Sequence, residues 1–276
     1  MMNISLGQYF PAESPIHHLD PRTKVIGGIL YILCAFLCRG VAAFGVLLLS
    51  AVVLILISRI PFRIVLRGIR PILFIMLFTM VINLFLTAGE TVLWELRWNF
   101  IHITIYKEGI YNAVFMMLRI VMLILGTSIF MTYTTTPIAL TDGIELLLSP
   151  LKKIRVPVHE FAMMMTITLR FIPTLIEETE KIIRAQKARG TDFESGGLIK
   201  RAKAMIPILV PLFVSSFRRA DELATSMECR CYHGGDGRTR MRILKLRLAD
   251  FFAVFLLLLL GAGIILCNLY APGYVM

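Results

Sequence analysis

The chain has 276 residues, 57% of them hydrophobic and 17% charged, with a formal net charge of +11 and a mean hydropathy of +0.77. A charged fraction well below the roughly 25% of soluble globular domains, with apolar residues gathered in long blocks, excludes a disordered chain and makes the bilayer the expected solvent. The basic balance would ordinarily suit nucleic acid, but in so apolar a chain it reads as the cationic flanks of membrane segments.

The first two dozen residues are polar and contain proline, with no pattern of a cleaved signal. The first apolar run, Val25 to Cys38, is short for a span; Lys24 and Arg39 extend it if they snorkel, and otherwise it is a helix buried against its neighbours. Four longer runs follow: Val41 to Ile57, Pro71 to Gly89, Ile110 to Tyr133 and Phe251 to Ala271. At 1.5 Å per residue each reaches across a hydrocarbon core of about 30 Å, the first of them only just. With the N-terminus cytoplasmic, 25 of the 29 Lys and Arg fall on the inner side, as the positive-inside rule requires.

Arg59, Arg63, Arg67 and Arg70 are spaced to share one helical face opposite Ile64, Val65 and Ile69, with Pro61 in the first turn, which predicts an amphipathic helix on the anionic inner leaflet. Between the third and fourth runs, Val92, Trp94, Leu96, Trp98 and Phe100 alternate with Leu93, Glu95, Arg97 and Asn99, and the phase changes at Ile101; that period predicts an outer hairpin. Arg119 is the lone charge inside a span, so it faces protein, either a partner subunit or the carbonyls of a neighbouring helix.

Residues 134–247 carry a net charge of +7 yet contain strongly apolar stretches, which suits a helical cytoplasmic domain lying against the membrane or against other proteins. The pattern predicts a helix over Val158 to Arg189, with a stripe through Phe161, Met164, Met165, Thr168 and Ile172, a kink at Pro173, a stop at Gly190 and a new cap at Asp192. A second helical stretch runs from Gly197 to about Cys231, interrupted by Pro207 and Pro211, with Phe213, Phe217, Ala220, Ala224 and Met227 on one face and Arg218 and Glu222 as an i, i+4 pair. Each helix ends on an Arg between small residues, Ala188-Arg189-Gly190 in the first and Cys229-Arg230-Cys231 in the second. Such tips read either as plain helix-end charges or as two equivalent plugs, and the methionines either as core or as an adaptable docking face.

The chain has no phosphate-binding G-x-x-x-x-G-K-[ST], nucleophile elbow or H-E-x-x-H. Glycine pairs at Gly27-Gly28, Gly196-Gly197 and Gly234-Gly235 have no phosphate-cradling context. Cys229, Cys231 and His233 offer at most three closely spaced ligands without a second cluster. Cys34, Cys38 and Cys267 lie in apolar runs, so a disulfide framework is not expected. His17, His18 and Asp20 could be ligands or a proton relay, but adjacent His side chains on a polar entry segment read as solvated. No catalytic or metal-ligating set is expected.

Leu19-Asp20-Pro21-Arg22-Thr23-Lys24, Leu169-Arg170-Phe171-Ile172-Pro173, Ala188-Arg189-Gly190 and Glu228-Cys229-Arg230-Cys231-Tyr232-His233-Gly234, in that order over nearly the whole chain, resemble the transmembrane T component of energy-coupling factor transporters, the EcfT/CbiQ family. The fold expected is an all-α integral membrane protein of about five transmembrane helices plus a domain of long coupling helices. Residues 1–133 would hold the N-terminal segment and four spans, 134–247 the coupling domain and 248–276 the last span.

The resemblance implies a scaffold in a prokaryotic plasma membrane, its N-terminus and coupling domain cytoplasmic. It would join two ABC-type ATPases to a small substrate-binding membrane subunit (S component) for import of a vitamin or transition-metal ion. ATP and Mg would belong to the ATPases, with no cofactor in this chain. Ala188, Arg189, Gly190 and Cys229, Arg230, Cys231 would dock the ATPases, the second set departing from the family's form in its two cysteines. Met164, Met165, Phe213 and Phe217 would face the substrate subunit, and ATPase closure would draw the two tips together. The rival reading is a self-sufficient permease or intramembrane enzyme, which would need polar residues converging within the spans; apart from Arg119 and Asn83 almost none are present.

Overall fold

The computed structural model of the chain describes residues 10–87, 91–98, 101–191, 193, 197–235 and 244–270. In order, the elements are α1 (Pro21–Leu37), α2 (Val41–Ser58), α3 (Phe62–Ile69), α4 (Leu73–Leu86), β1 (Val92–Trp98), β2 (Ile101–Tyr106), α5 (Lys107–Thr127), α6 (Pro137–Leu148), α7 (Val158–Ala188), α8 (Leu198–Glu228) and α9 (Leu248–Tyr270). The chain divides into two compact units, residues 1–147 with 244–276, and residues 148–243.

Among the described residues of the first unit, four segments are long and apolar enough to cross a membrane: Val41–Ser58, Phe62–Phe85, Lys107–Tyr133 and Leu248–Tyr270. α1, at 17 residues about 26 Å long, is shorter, but packs against α2, α5 and α9. Its start is set by Asp20, whose carboxylate accepts the Arg22 N–H at 2.9 Å, and by Pro21, whose missing N–H is harmless in the first turn. Tyr31, Cys34 and Ala35 of α1 then meet Phe44 and Leu47 of α2, Met122 of α5 and Leu257 and Ile264 of α9 in one buried cluster. Gly27 permits this close approach: a Cβ there would lie 3.1 Å from Leu257 Cδ1 and 3.5 Å from the Phe130 ring. Small residues let membrane helices meet where lipid supplies no hydrophobic drive.

The arginine face predicted over residues 59–70 is not one helix. Arg59 ends α2 in the left-handed conformation (φ 54°) and points a guanidinium N–H at the Glu13 carbonyl, 3.4 Å away. Pro61 caps α3, which carries Arg63 and Arg67; Arg70 opens a 3-10 turn through Ile72 that leads into α4. A Pro61 ring pre-set for a helix start separates the two elements, so periodicity alone overran the break.

Among the described residues the regular structure is helical except for the hairpin, β1 paired antiparallel with β2 from Trp94 opposite Ile105 to Trp98 opposite Ile101. Phe100 and Gly89 lie outside the described residues. Beyond α5 the chain widens into a π-helix over Ser128–Tyr133, and hydroxyls take its loosened carbonyls: Thr134 donates to Ile129 at 2.8 Å and Thr135 to Phe130 at 3.0 Å.

The second unit consists of a 3-10 turn at Ser149–Ile154 followed by α7 and α8, which pack on each other. Both are 31 residues, about 46 Å, and both run through internal prolines, Pro173 in α7 and Pro207 and Pro211 in α8. Pro211 has no N–H for the Pro207 carbonyl four residues back; Gln186 of α7 donates to that oxygen instead, at 3.4 Å. Asp192, the expected cap after Gly190, lies outside the described residues.

Candidate partner-docking sites

The residues of the Leu19-to-Lys24 motif form a buried polar knot in the first unit. Asp250, in the first turn of α9, accepts the Asp20 N–H at 2.8 Å through one carboxylate oxygen and the Arg247 N–H at 2.7 Å through the other. Arg22 donates to the Leu244 carbonyl at 3.0 Å, with its Nε 3.5 Å from the Asp20 carboxylate. The Lys24 ammonium donates to the carbonyls of Thr134, at 2.8 Å, and His17, at 3.1 Å. Asp20, Lys24 and Asp250 are buried, so their polar groups need these partners. The motif thus ties the start of α1 to the start of α9 and to the end of the π-helix. Asp250 carried no signal in the sequence, because Asp20, which it holds, lies near the other end of the chain.

His17 is not the solvated side chain its polar surroundings suggested. Its ring lies 3.0 Å from the Phe10 carbonyl through Nε2 and 2.7 Å from the Ser14 hydroxyl through Nδ1. A carbonyl only accepts, so Nε2 carries the proton in this pairing. Burial, with Lys24 and His18 nearby, holds the imidazole below its ordinary value of 6.5, against the raising effect of the bonds to Phe10 and Tyr133. His18 is exposed, and Asp20 is buried.

Arg119 donates to the Cys38 carbonyl at 2.7 Å, at the C-terminal end of α1, with its guanidinium carbon 5.5 Å from the Phe44 ring centre. A cation at a helix C-terminus and over an aromatic face is favourable on both counts. Of the two pairings foreseen for this charge, the chain supplies the carbonyl of a neighbouring helix. Asn268 completes the same corner, donating to Leu37 at 2.7 Å and accepting from Arg39 and Gly40 at 3.3 Å. Asn83 is likewise satisfied within its own helix, by the Thr79 carbonyl at 2.9 Å.

In the second unit the two arginine tips have the same backbone. At the end of α7 the Gly190 N–H donates to Lys187 at 3.0 Å and the Thr191 N–H to Gln186 at 3.1 Å, with Gly190 left-handed at φ 84°. At the end of α8 the Cys231 N–H donates to Glu228 at 2.9 Å and the Tyr232 N–H to Met227 at 3.0 Å, with Cys231 left-handed at φ 55°. Both are Schellman ends, and Arg189 and Arg230 occupy the equivalent last position before the left-handed residue. Ala188, Arg189 and Gly190 are exposed, as are Cys229, Arg230 and Cys231. The departure at Cys231 is therefore conformational as well as chemical, since a side chain there bears the steric strain that glycine avoids.

Met164, Met165, Phe213 and Phe217 are exposed by 55%, 43%, 60% and 67%, and the two Phe rings stack with centres 6.4 Å apart. Ile206, Leu209, Val210 and Val214 continue that exposed apolar face along α8. Between α7 and α8, Phe171, Val210, Pro211, Val214, Arg218 and Glu222 line an open groove of about 730 Å³. Arg218 and Glu222 share the groove without the ion pair expected from their spacing. Among the described residues no group of three His, Cys, Asp or Glu side chains is placed to hold a metal ion.

The fold defines a multi-pass helical membrane protein that exposes two matched arginine tips and an apolar face along its long helices. Residues 12–242 match the family CbiQ, cobalt transport protein. The chain is 51% identical over 268 residues, 97% of its length and 98% of the relative's, to the energy-coupling factor transporter transmembrane protein EcfT of Clostridium kluyveri. It is 54% identical over 243 residues to the EcfT of Ruminiclostridium cellulolyticum (88% and 89% covered) and 45% identical over 262 residues to that of Bacillus subtilis (95% and 97% covered). The chain belongs to the EcfT/CbiQ family of transmembrane components of energy-coupling factor transporters, a non-catalytic component that itself binds no cofactor.

Proposed function

We propose that this chain docks one ABC-type ATPase at each arginine tip, Arg189 with Ala188 and Gly190, and Arg230 with Cys229 and Cys231. The apolar face through Met164, Met165, Phe213 and Phe217 holds one small substrate-binding membrane subunit. ATP hydrolysis by the ATPases then drives uptake of a vitamin or transition-metal ion through that subunit. The chain lies in a prokaryotic plasma membrane with its N-terminus and long helices on the cytoplasmic side.

The observation that carries this reading is the identity of the two helix ends: two exposed arginines in the same Schellman geometry fit two sockets of the same kind. Arginine's rigid fork of donors suits carboxylates in a groove, and small flanking residues let the helix end approach. The test is to purify the tagged chain from its native membrane and identify what accompanies it. Two ATPase chains and one small hydrophobic subunit are expected, with Arg189→Glu or Arg230→Glu abolishing uptake while the chain stays in the membrane. A chain that purifies alone and still moves a ligand in liposomes overturns the reading.

A further inference from the structure

The turn that follows the second tip does not hang free of the long-helix unit. A Cβ on Gly235 would stand 2.6 Å from Cδ2 and 3.0 Å from Cγ of His159, and the nearest atom to one on Gly234 is a carboxylate oxygen of Glu160, at 4.0 Å. His159 and Glu160 are in the first turn of α7. The chain leaving Arg230 therefore folds back onto the start of α7, while Arg189 caps the other end of that helix. Gly234, left-handed at φ 99°, turns the backbone there, and Gly235 lacks the side chain that would strike the imidazole. Along α7, His159 and Arg189 are separated by about 45 Å of helix. Gln186 holds the partner helix near the other end, through the Pro207 carbonyl.

We infer that the contact of Gly235 with His159 is the joint that fixes the spacing of the two arginine tips, with α7 as the strut between them. His159 and Gly235 are positioning residues: they act through Arg230, and neither meets an ATPase itself. This rests on the docking of the two tips given above and changes what ATPase closure does. With the joint shut, the tips keep their separation, and closure tilts the α7–α8 pair as one body instead of drawing its ends together. A stiff pair converts that tilt into displacement of the apolar face along α8.

The test uses the full chain in lipid nanodiscs, with nitroxide labels attached through unnatural residues at Lys187 and Ser226, both exposed, so that the native cysteines stay in place. Wild type should give one narrow distance of roughly 30 Å that does not change when the ATPases and ATP are added. Gly235→Val and His159→Ala should each broaden it and lower uptake about tenfold, and the size-swapped pair should recover both, as contacting residues do in a double-mutant cycle. Because His159→Ala removes a partly buried ring and adds no bulk, it covers the case in which Gly235→Val does not fold. Single variants that match wild type, a swapped pair that does not recover, or a wild-type distance that shortens on ATP binding would each overturn the inference. Loss of ATPase co-purification from wild type would instead remove the docking reading and leave the distance measurement standing.

Discussion

In the membrane unit Asp20, Lys24 and Asp250 are each more than nine-tenths buried and held by hydrogen bonds, whereas in the long-helix unit Arg189 and Arg230 stand exposed at helix ends. Apolar side chains are exposed in both, Phe74 by 76% in α4 and Phe217 by 67% in α8. Around α4 the bilayer explains that exposure; along α8 the same chemistry shares a helix pair with lysines, arginines and glutamates, which lipid alone does not explain. The first unit uses its polar groups to hold its own shape. The second leaves its arginine tips and its apolar stripe exposed.

If that division is right, the largest loss of stability comes from the knot. Asp250→Ala leaves the Asp20 and Arg247 N–H groups without acceptors and should cost about 3 kcal/mol, read as a lower melting temperature in detergent. A melting curve that does not move would mean the knot does not hold the unit. The paired change Phe213→Ala with Phe217→Ala should do the reverse. It weakens capture of the substrate subunit by about 2 kcal/mol, as loss of aromatic anchors does, yet leaves the chain's own melting within about 0.5 kcal/mol because both rings are exposed. Co-purification and calorimetry on the same sample separate the two effects, and a large drop in melting would place those rings in a core.

At the tips, Cys231→Gly should stabilise the end of α8 by about 1 kcal/mol, since the residue is already left-handed. Slower hydrogen exchange at the Tyr232 amide, which donates to Met227, would register it; unchanged exchange would mean Cys231 bears no backbone strain. The smallest effect concerns His17. Its folded-state value lies below 6.5, so between the two values the unfolded chain binds more protons, and stability falls as pH drops through and below 6.5. Above pH 6.5 that loss is absent. Melting followed across this window should flatten in His17→Gln, and an identical slope in the variant would assign the acid sensitivity to other groups.

Much of the architecture was legible because membrane helices announce themselves by length and apolarity: the segments around residues 41–58, 107–133 and 248–270 match apolar runs to within a few residues. The stop at Gly190 was legible too, since a glycine after a basic turn has a specific backbone use. The split of the Arg59-to-Arg70 face was not. A helical periodicity continues on paper through a left-handed residue and a proline that interrupt it in space. Nor was the state of His17, which depends on how residues 10–20 fold over themselves.

By itself the sequence determined that this is a membrane protein, where its apolar segments lie, and that two long helices end on arginines, because composition, run length and local stop signals are properties of neighbours along the chain. Only the tertiary structure decided that Arg119 caps α1, that Asp250 closes the knot begun by Asp20, and that Gly235 rests on His159. The two members of each pair lie on different elements, far apart in sequence. No local preference encodes such pairs; they form because a buried charge must find a partner and because one missing side chain lets a backbone rest against a ring.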